Sequence, residues 1–258
     1  MASVQLSDVS FGYGERALFC GLDLELAQGK VTSIIGPNGC GKSTLMKCAV
    51  GLMKPSGGEI LLNGQPLSVI PEKERARHLS YMPQSRIAPD ISVRHLVIHG
   101  RYPHLKWGQS LRREDREIVQ AAIERVKLGA LVNRPVSRLS GGERQRAYLA
   151  MMLAQQTAVM LLDEPTAYLD LSSQFALMEL LRALCREGRS VILVLHELSL
   201  ALEYTDSLLL MERGRLVAAG SPEEVYRTGQ IQRVFSIDVR RTSDNKYLFY
   251  TEKQEVRT

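Results

Sequence analysis

The chain has 258 residues, 45% of them hydrophobic and 24% charged, with a formal net charge of +5. Those proportions support a sizeable buried core and exclude disordered, collagen-like and disulfide-scaffold classes. The four cysteines, Cys20, Cys40, Cys48 and Cys185, show no C-x-x-C pairing, so reduced thiols are expected. Met1–Ser10 carries neither the basic nor the apolar region of a signal peptide, and no apolar run reaches the ~18–20 residues that span a bilayer. Work at a membrane would therefore need something else to hold the chain there.

Val4–Val9 alternates apolar and polar, as a half-buried strand does, and Phe11-Gly12-Tyr13-Gly14 reads as a turn. Gly12-x-Gly14-x-x-Ala17 mimics a dinucleotide fingerprint, but Leu22-Asp23-Leu24-Glu25-Leu26 continues with period two, where that fingerprint needs a helix. Lys30–Ile35 is an apolar, β-branched run that predicts a buried strand. Gly36-Pro37-Asn38-Gly39-Cys40-Gly41-Lys42-Ser43-Thr44 follows, and then a helix through Leu45–Val50. Strand, glycine turn and helix around G-x-x-x-x-G-K-[ST] make a phosphate site. Glycines let successive backbone N–H groups point inward, and the helix N-terminus adds unpaired N–H groups and a positive dipole end. Lys42 brings a full charge to the phosphates, and the Ser43 hydroxyl can ligate Mg²⁺. The same dipole predicts a lowered thiol pKa, and reactivity toward alkylating reagents, for Cys40.

Gly57-Gly58 and Asn63-Gly64 bracket a short strand and suggest an antiparallel region beside the main sheet. Glu72–Arg77 reads as a helix and Leu79–Met82 as a strand, with Gln84 just beyond it. From Ile87 to Leu139 the pattern turns helical. Ser92 caps Val93–His99, Arg101-Tyr102-Pro103 breaks that helix, and Arg112–Lys127 shows an apolar face of Ile118, Val119, Ala122, Ile123 and Val126. The surplus of Arg and Lys here reads as solvated surface. His95, His99 and His104 lack ligand spacing. Ser140 and Glu143 form a capping box for a helix over Arg144–Gln155. The intervening Gly141-Gly142, costly in a helix, suggest that something approaches the backbone closely, and an anion is the natural guest.

Val159–Leu162 is a buried strand that ends in Asp163 and Glu164, an arrangement that suits a cation site, the lesser alternative being that the two acids cap the next helix. Ser172–Arg186 reads as a helix. Val191–Leu195 is another buried strand, ending at His196, so Gln84, Asp163 and His196 could all face one crevice. A hairpin turns at Gly214, and Ser221-Pro222-Glu223-Glu224 opens a capped helix. From Ile237 the tail alternates weakly and is either a small strand addition or a frayed end.

Lys42 in its glycine loop, Gln84, Leu139-Ser140-Gly141-Gly142, Asp163-Glu164, Asp170 and His196, in that order, resemble the ATP-binding cassette (ABC) ATPases from Tyr13 to about Val225. The resemblance implies an α/β fold: a P-loop NTPase core with a mainly parallel sheet, an N-terminal antiparallel β region and a helical insertion at about 87–155. The ATPase domain would cover 1–236 and a short C-terminal extension 237–258. It also implies roles. Tyr13 would stack on adenine, and Gly36 to Thr44 would cradle the phosphates of ATP. Ser43, Gln84 and Asp163 would serve Mg²⁺, Glu164 would be the general base, and His196 would be the switch on the γ-phosphate. Ser140, Gly141, Gly142 and Asp170 would act across a head-to-tail pair on the partner copy's nucleotide. Glu143 stands where the signature often has Gln, and Glu197 where Asp often follows the histidine.

Gly100-Arg101-Tyr102-Pro103, Arg113-Glu114-Asp115 and Ala121-Ala122, with the loop and signature sequences, resemble the subunits that power importers of iron–siderophore, haem and cobalamin complexes. That implies a polytopic permease partner, indirectly a solute-binding protein, no nucleic acid, and a peripheral place on the cytoplasmic face of the inner membrane. The alternatives are a non-transport ABC ATPase and a nucleotide-gated module without turnover. Intact Glu164 and His196 argue against the second. A phosphate-loop GTPase is excluded because Asn245-Lys246-Tyr247-Leu248 lacks the required acid.

Overall fold

A computed structural model describes residues 3–85, 87–106, 108–242 and 246–251. Strands β1 (Val4–Tyr13) and β2 (Arg16–Glu25) form an antiparallel hairpin. The first strand runs on through the segment expected to turn, because Phe11 is buried against Phe19 and Gly12 pairs with Ala17; the turn falls at Gly14-Glu15. Strand β3 (Val31–Ile35) leads through the glycine loop into helix α1 (Lys42–Ala49). Strands β4 (Gly57–Leu62) and β5 (Gln65–Pro66) complete a four-stranded antiparallel sheet in the order β2-β1-β4-β5.

Helix α2 (Glu72–His78) precedes β6 (Leu79–Met82). Between β6 and β7 (Val159–Asp163) lie α3 (Val93–His99), α4 (Arg113–Arg125) and α5 (Gly141–Gln155), which pack on one another. Then come α6 (Leu171–Arg186), β8 (Ser190–Val194), α7 (Leu198–Tyr204), β9 (Ser207–Glu212), β10 (Arg215–Gly220), α8 (Pro222–Arg227) and α9 (Gln230–Phe235). The tail is a strand addition, with β11 (Ile237–Arg241) paired antiparallel to β12 (Tyr247–Thr251) and Val239 and Tyr247 buried in the main core.

The main sheet has six strands in the order β10-β9-β3-β8-β7-β6, all neighbours parallel except β9 and β10. Both faces are covered, which explains the wholly apolar strands. Alternation along each strand divides the interior in two. Val31, Ile35, Met160, Leu162, Val191 and Leu193 face the helical side, in one cluster with α3 to α7. Ile34, Leu161, Ile192, Val194 and Leu209 face the antiparallel sheet and α1.

Helix starts follow their caps. The Ser92 hydroxyl accepts from the His95 N–H, and Ser140 and Glu143 form the expected reciprocal box. That box draws the glycine pair into the first turn of α5, so the helix begins at Gly141 rather than at Arg144. The reading of the arginine-rich segment as solvated surface fails at Arg101, which is 5% exposed. Its Nε donates to Asp115 Oδ1 at 2.9 Å, and its Nη1 donates to the Ala154 carbonyl at 2.7 Å and to Gln156 Oε1 at 2.9 Å. The guanidinium thus ties the end of α3 to α4 and to the end of α5. Among the described residues, no helix is long and apolar enough to cross a membrane.

Candidate functional site

Parallel pairing brings the carboxyl ends of four strands into line. Ile34 of β3 and Asp163 of β7 both pair with Val194 of β8, and Leu162 of β7 pairs with Met82 of β6. The residues just past these ends therefore share one edge, where open α/β sheets bind ligands. A cavity of about 610 Å³ opens there, lined by Tyr13, Leu18, Asn38, Gly39, Gly41, Lys42, Ser43, Thr44, Gln84, Glu164 and His196.

The loop after β3 is curled by Gly36, Gly39 and Gly41, with φ of 151°, 76° and 110°. At Gly36 a Cβ would meet the Met211 carbonyl oxygen at 2.1 Å, so this strand end tolerates no side chain. Lys42 is buried at the start of α1, and its ammonium donates to the carbonyls of Gly36 at 2.8 Å and Pro37 at 2.9 Å. Those two residues hold the lysine and do not line the cavity. Cys40 does not line it either. It is 4% exposed, and burial raises its thiol pKa, although the Lys42 charge and the Lys42 and Cys40 backbone N–H groups pull the other way. The expected lowering fails because desolvation outweighs the dipole at a sulfur packed beneath Gly36.

Asp163, the last residue of β7, accepts from the Ser43 hydroxyl at 2.9 Å and from Tyr81 Oη at 3.2 Å. Burial raises its carboxyl pKa; the Ser43 and Tyr81 hydroxyls lower it and the neighbouring Glu164 raises it again, with a net rise. The Tyr81 phenol is pushed up as well, first by burial and then by Asp163. A buried carboxylate beside a second acid, in contact with a hydroxyl, offers the oxygen donors that a hard divalent cation takes. Glu164 faces elsewhere. One of its oxygens accepts from Gln84 Nε2 at 2.6 Å, and the other lies 2.5 Å from His196 Nε2. Its φ is 49°, a left-handed angle costing a non-glycine residue about 1–3 kcal/mol, which persists only where the surroundings impose it.

Tyr13 lines the cavity edge-on to Phe11, with its hydroxyl 3.4 Å from Thr44 Oγ1. Ser140, Gly141, Gly142 and Asp170 do not line the cavity. Ser140 caps α5, and Asp170 caps α6 by accepting from the Ser173 N–H at 2.7 Å. Packing within the chain does not by itself demand the glycine pair: a Cβ on Gly141 would sit in ordinary contact with Tyr168 Cβ at 3.4 Å, and one on Gly142 would need Leu169 Cδ2, 3.2 Å away, to shift only slightly. Two contributors went unread in the sequence. Leu18 reaches the cavity from the second hairpin strand, two residues past the Arg16 that pairs with Tyr13, and Tyr81 looked like one more apolar strand residue. Strand alternation relative to Met82 is the signal that turns Tyr81 toward Asp163.

The ABC transporter family profile matches residues 19–167, which include the loop, Gln84, the signature turn and both acids. The chain is 41% identical over 239 residues to the ferric enterobactin transport ATP-binding protein FepC of Escherichia coli (strain K12), covering 92% of this chain and 88% of that protein. It is 40% identical over 232 residues to the hemin import ATP-binding protein HmuV of Pseudomonas entomophila (strain L48), covering 88% and 89%. The fold is similar, with a TM-score of 0.75 and 28% identity, to the structure of cbiO1 from Clostridium perfringens, part of the ABC transporter complex cbiONQ; 89% of this chain and 92% of that one are covered. Phosphate loop, paired acids and end-to-end relatives agree, and the chain belongs to the ABC transporter family as an ATP-binding, ATP-hydrolysing subunit.

Proposed function

We propose that this chain powers a membrane importer of iron–siderophore, haem or related metal–chelate complexes by hydrolysing ATP. The observation that carries the reading is the placement of Glu164 between Gln84 and His196 across from Lys42 in one cavity. The names of the two relatives, a ferric enterobactin and a hemin transport protein, support the cargo class.

The backbone of Asn38–Thr44 and the Lys42 ammonium bind the triphosphate, and Tyr13 and Leu18 flank the nucleoside end. Ser43 Oγ and Asp163 Oδ1, 2.9 Å apart, with Gln84 nearby, are the residues that would hold Mg²⁺. When bound, this ion neutralises charge on phosphate oxygens. Glu164 orients water and takes its proton as the water oxygen bonds to the γ-phosphorus and the bond to the ADP oxygen breaks. His196 senses the same phosphoryl group.

Ser140 lies outside the cavity of its own chain, which supports a head-to-tail pair in which Ser140, Gly141, Gly142 and Asp170 of each copy complete the other's site. Such an interface excludes water and so strengthens the electrostatics around the phosphoryl group. A polytopic permease, served by a solute-binding protein, would hold the pair at the cytoplasmic face of the membrane.

The test is Glu164→Gln. Turnover with Mg²⁺ and ATP should fall by roughly 10²–10⁴, the scale for losing a general base, while ATP binding persists. ATP should also shift this variant from monomer to dimer on size exclusion. Wild-type turnover in Glu164→Gln would overturn the assignment.

A further inference from the structure

Glu164 and Tyr168 lie in one short loop, and both adopt left-handed backbone angles, with φ of 49° and 66°. Neither is glycine, so neighbouring contacts must dictate this shape. Between them sits Thr166, 2% exposed, whose hydroxyl donates to Glu197 Oε2 at 2.9 Å. From the first turn of α6, the Gln174 amide reaches back to the carbonyls of Leu169 at 3.3 Å and Thr166 at 3.5 Å. Backbone N–H groups of Ala167 and Leu169 close on the carbonyls of Glu164 and Thr166 at 3.3 and 3.2 Å.

Glu197 follows His196 and occupies the N-cap position of α7, yet its side chain makes no cap hydrogen bond there. It is committed to Thr166 instead. The same loop carries Leu169 against the signature turn at Gly142. One carboxylate therefore joins the segment bearing His196 to the loop that begins at Glu164, sets Leu169 beside the signature turn and ends at the cap of α6.

We propose that Glu197 is a positioning residue for turnover: by accepting from Thr166 it fixes the left-handed backbone at Glu164 and keeps the Glu164 carboxylate between Gln84 and His196. This rests on the reading of Glu164 as the base. Glu197 touches no reacting atom, so its effect falls on the rate of the chemical step and not on nucleotide affinity.

The experiment is steady-state ATP hydrolysis by the full chain. Glu197→Ala and Thr166→Val should each lower kcat about tenfold, the scale of one charge-assisted hydrogen bond, with KM for ATP within about twofold of wild type. Thr166→Ser keeps the hydroxyl and should stay within about twofold of wild-type kcat, and Glu197→Gln keeps an acceptor oxygen without the charge and should stay within about threefold. The double variant Glu197→Ala/Thr166→Val should be no slower than either single one. A wild-type kcat in Glu197→Ala, a rise in KM alone, or Thr166→Ser as slow as Thr166→Val would overturn the inference. Should Glu197→Ala fail to fold, the Thr166→Val and Thr166→Ser pair carries the test. Glu164→Gln measured alongside separates the two claims: if it is slow while Glu197→Ala is normal, only the role of Glu197 falls.

Discussion

Replacing Arg101 by Met keeps most of the side-chain volume but removes a guanidinium that is almost wholly buried. Three hydrogen bonds go with it: to Asp115 at 2.9 Å, to the Ala154 carbonyl at 2.7 Å and to Gln156 at 2.9 Å. Asp115 is then left buried with the Arg112 N–H, at 3.0 Å, as its hydrogen-bond donor. Breaking a buried pair from one side costs about 3–5 kcal/mol, and for a chain of this size each kcal/mol moves Tm by about 2–4 °C. A fall of roughly 6–20 °C is expected in scanning fluorimetry at pH 7. Arg101→Met/Asp115→Leu removes both charges and should recover about half of that loss or more.

The pH dependence has a definite sign. Burial raises the Asp115 carboxyl pKa, but the Arg112 N–H and the Arg101 side chain more than offset this, so its folded value is lowered. Its contribution is fully present above the unfolded value of about 3.9 and is lost as pH falls through the lower folded value. In Arg101→Met the guanidinium that lowers this carboxyl is gone while the burial that raises it remains, so acidification should narrow the variant's Tm gap from wild type. A Tm change below about 2 °C at pH 7, or a double variant no more stable than the single one, would refute the reasoning.

Lys42→Ala should weaken Mg²⁺–ATP binding by roughly 10–100-fold, the loss of charge-assisted contacts to phosphate, in a titration with a fluorescent ATP analogue; unchanged affinity would remove Lys42 from the site. The cysteines should separate under iodoacetamide at pH 8. Cys20 is exposed, whereas Cys40, Cys48 and Cys185 are buried and burial raises all three thiols, Cys48 and Cys185 to about 11. Mass spectrometry should find Cys20 alkylated first, and equal labelling of Cys40 would contradict its placement beneath the loop.

The ends of β7 and β8 were legible because each is a contiguous apolar run and the polar residue at its close marks the ligand edge, whereas β3 (Val31-Thr32-Ser33-Ile34-Ile35) was legible from the glycine loop behind it and β6 (Leu79-Ser80-Tyr81-Met82) from the Pro83-Gln84 that ends it. Caps at Ser92, Ser140 and Ser221 were legible because a cap and its partner lie within one turn. Arg101 was not: its acid lies fourteen positions away on another helix, and a lone arginine after a helix looks like surface. Thr166 and Glu197 are likewise joined across 31 positions, so nothing local announces the contact. Cys40 shows a local rule failing in the other direction, since the dipole argument held in sequence terms and lost to desolvation that only packing reveals. Asp170 answered to its nearest neighbours, capping α6 as an ordinary aspartate does.

The sheet separates two interiors so fully that Ile192 and Leu193, adjacent in the chain, belong to different ones. Leu45 and Met46, just behind the phosphate loop, lie in one interior, and Val97, Ile123 and Leu149 of the helical insertion lie in the other. Such a partition gives the two halves separate freedom to drift over evolution. The helical side can change its packing while Leu45 and Met46, on the other side of the sheet, keep the backing of the phosphate loop.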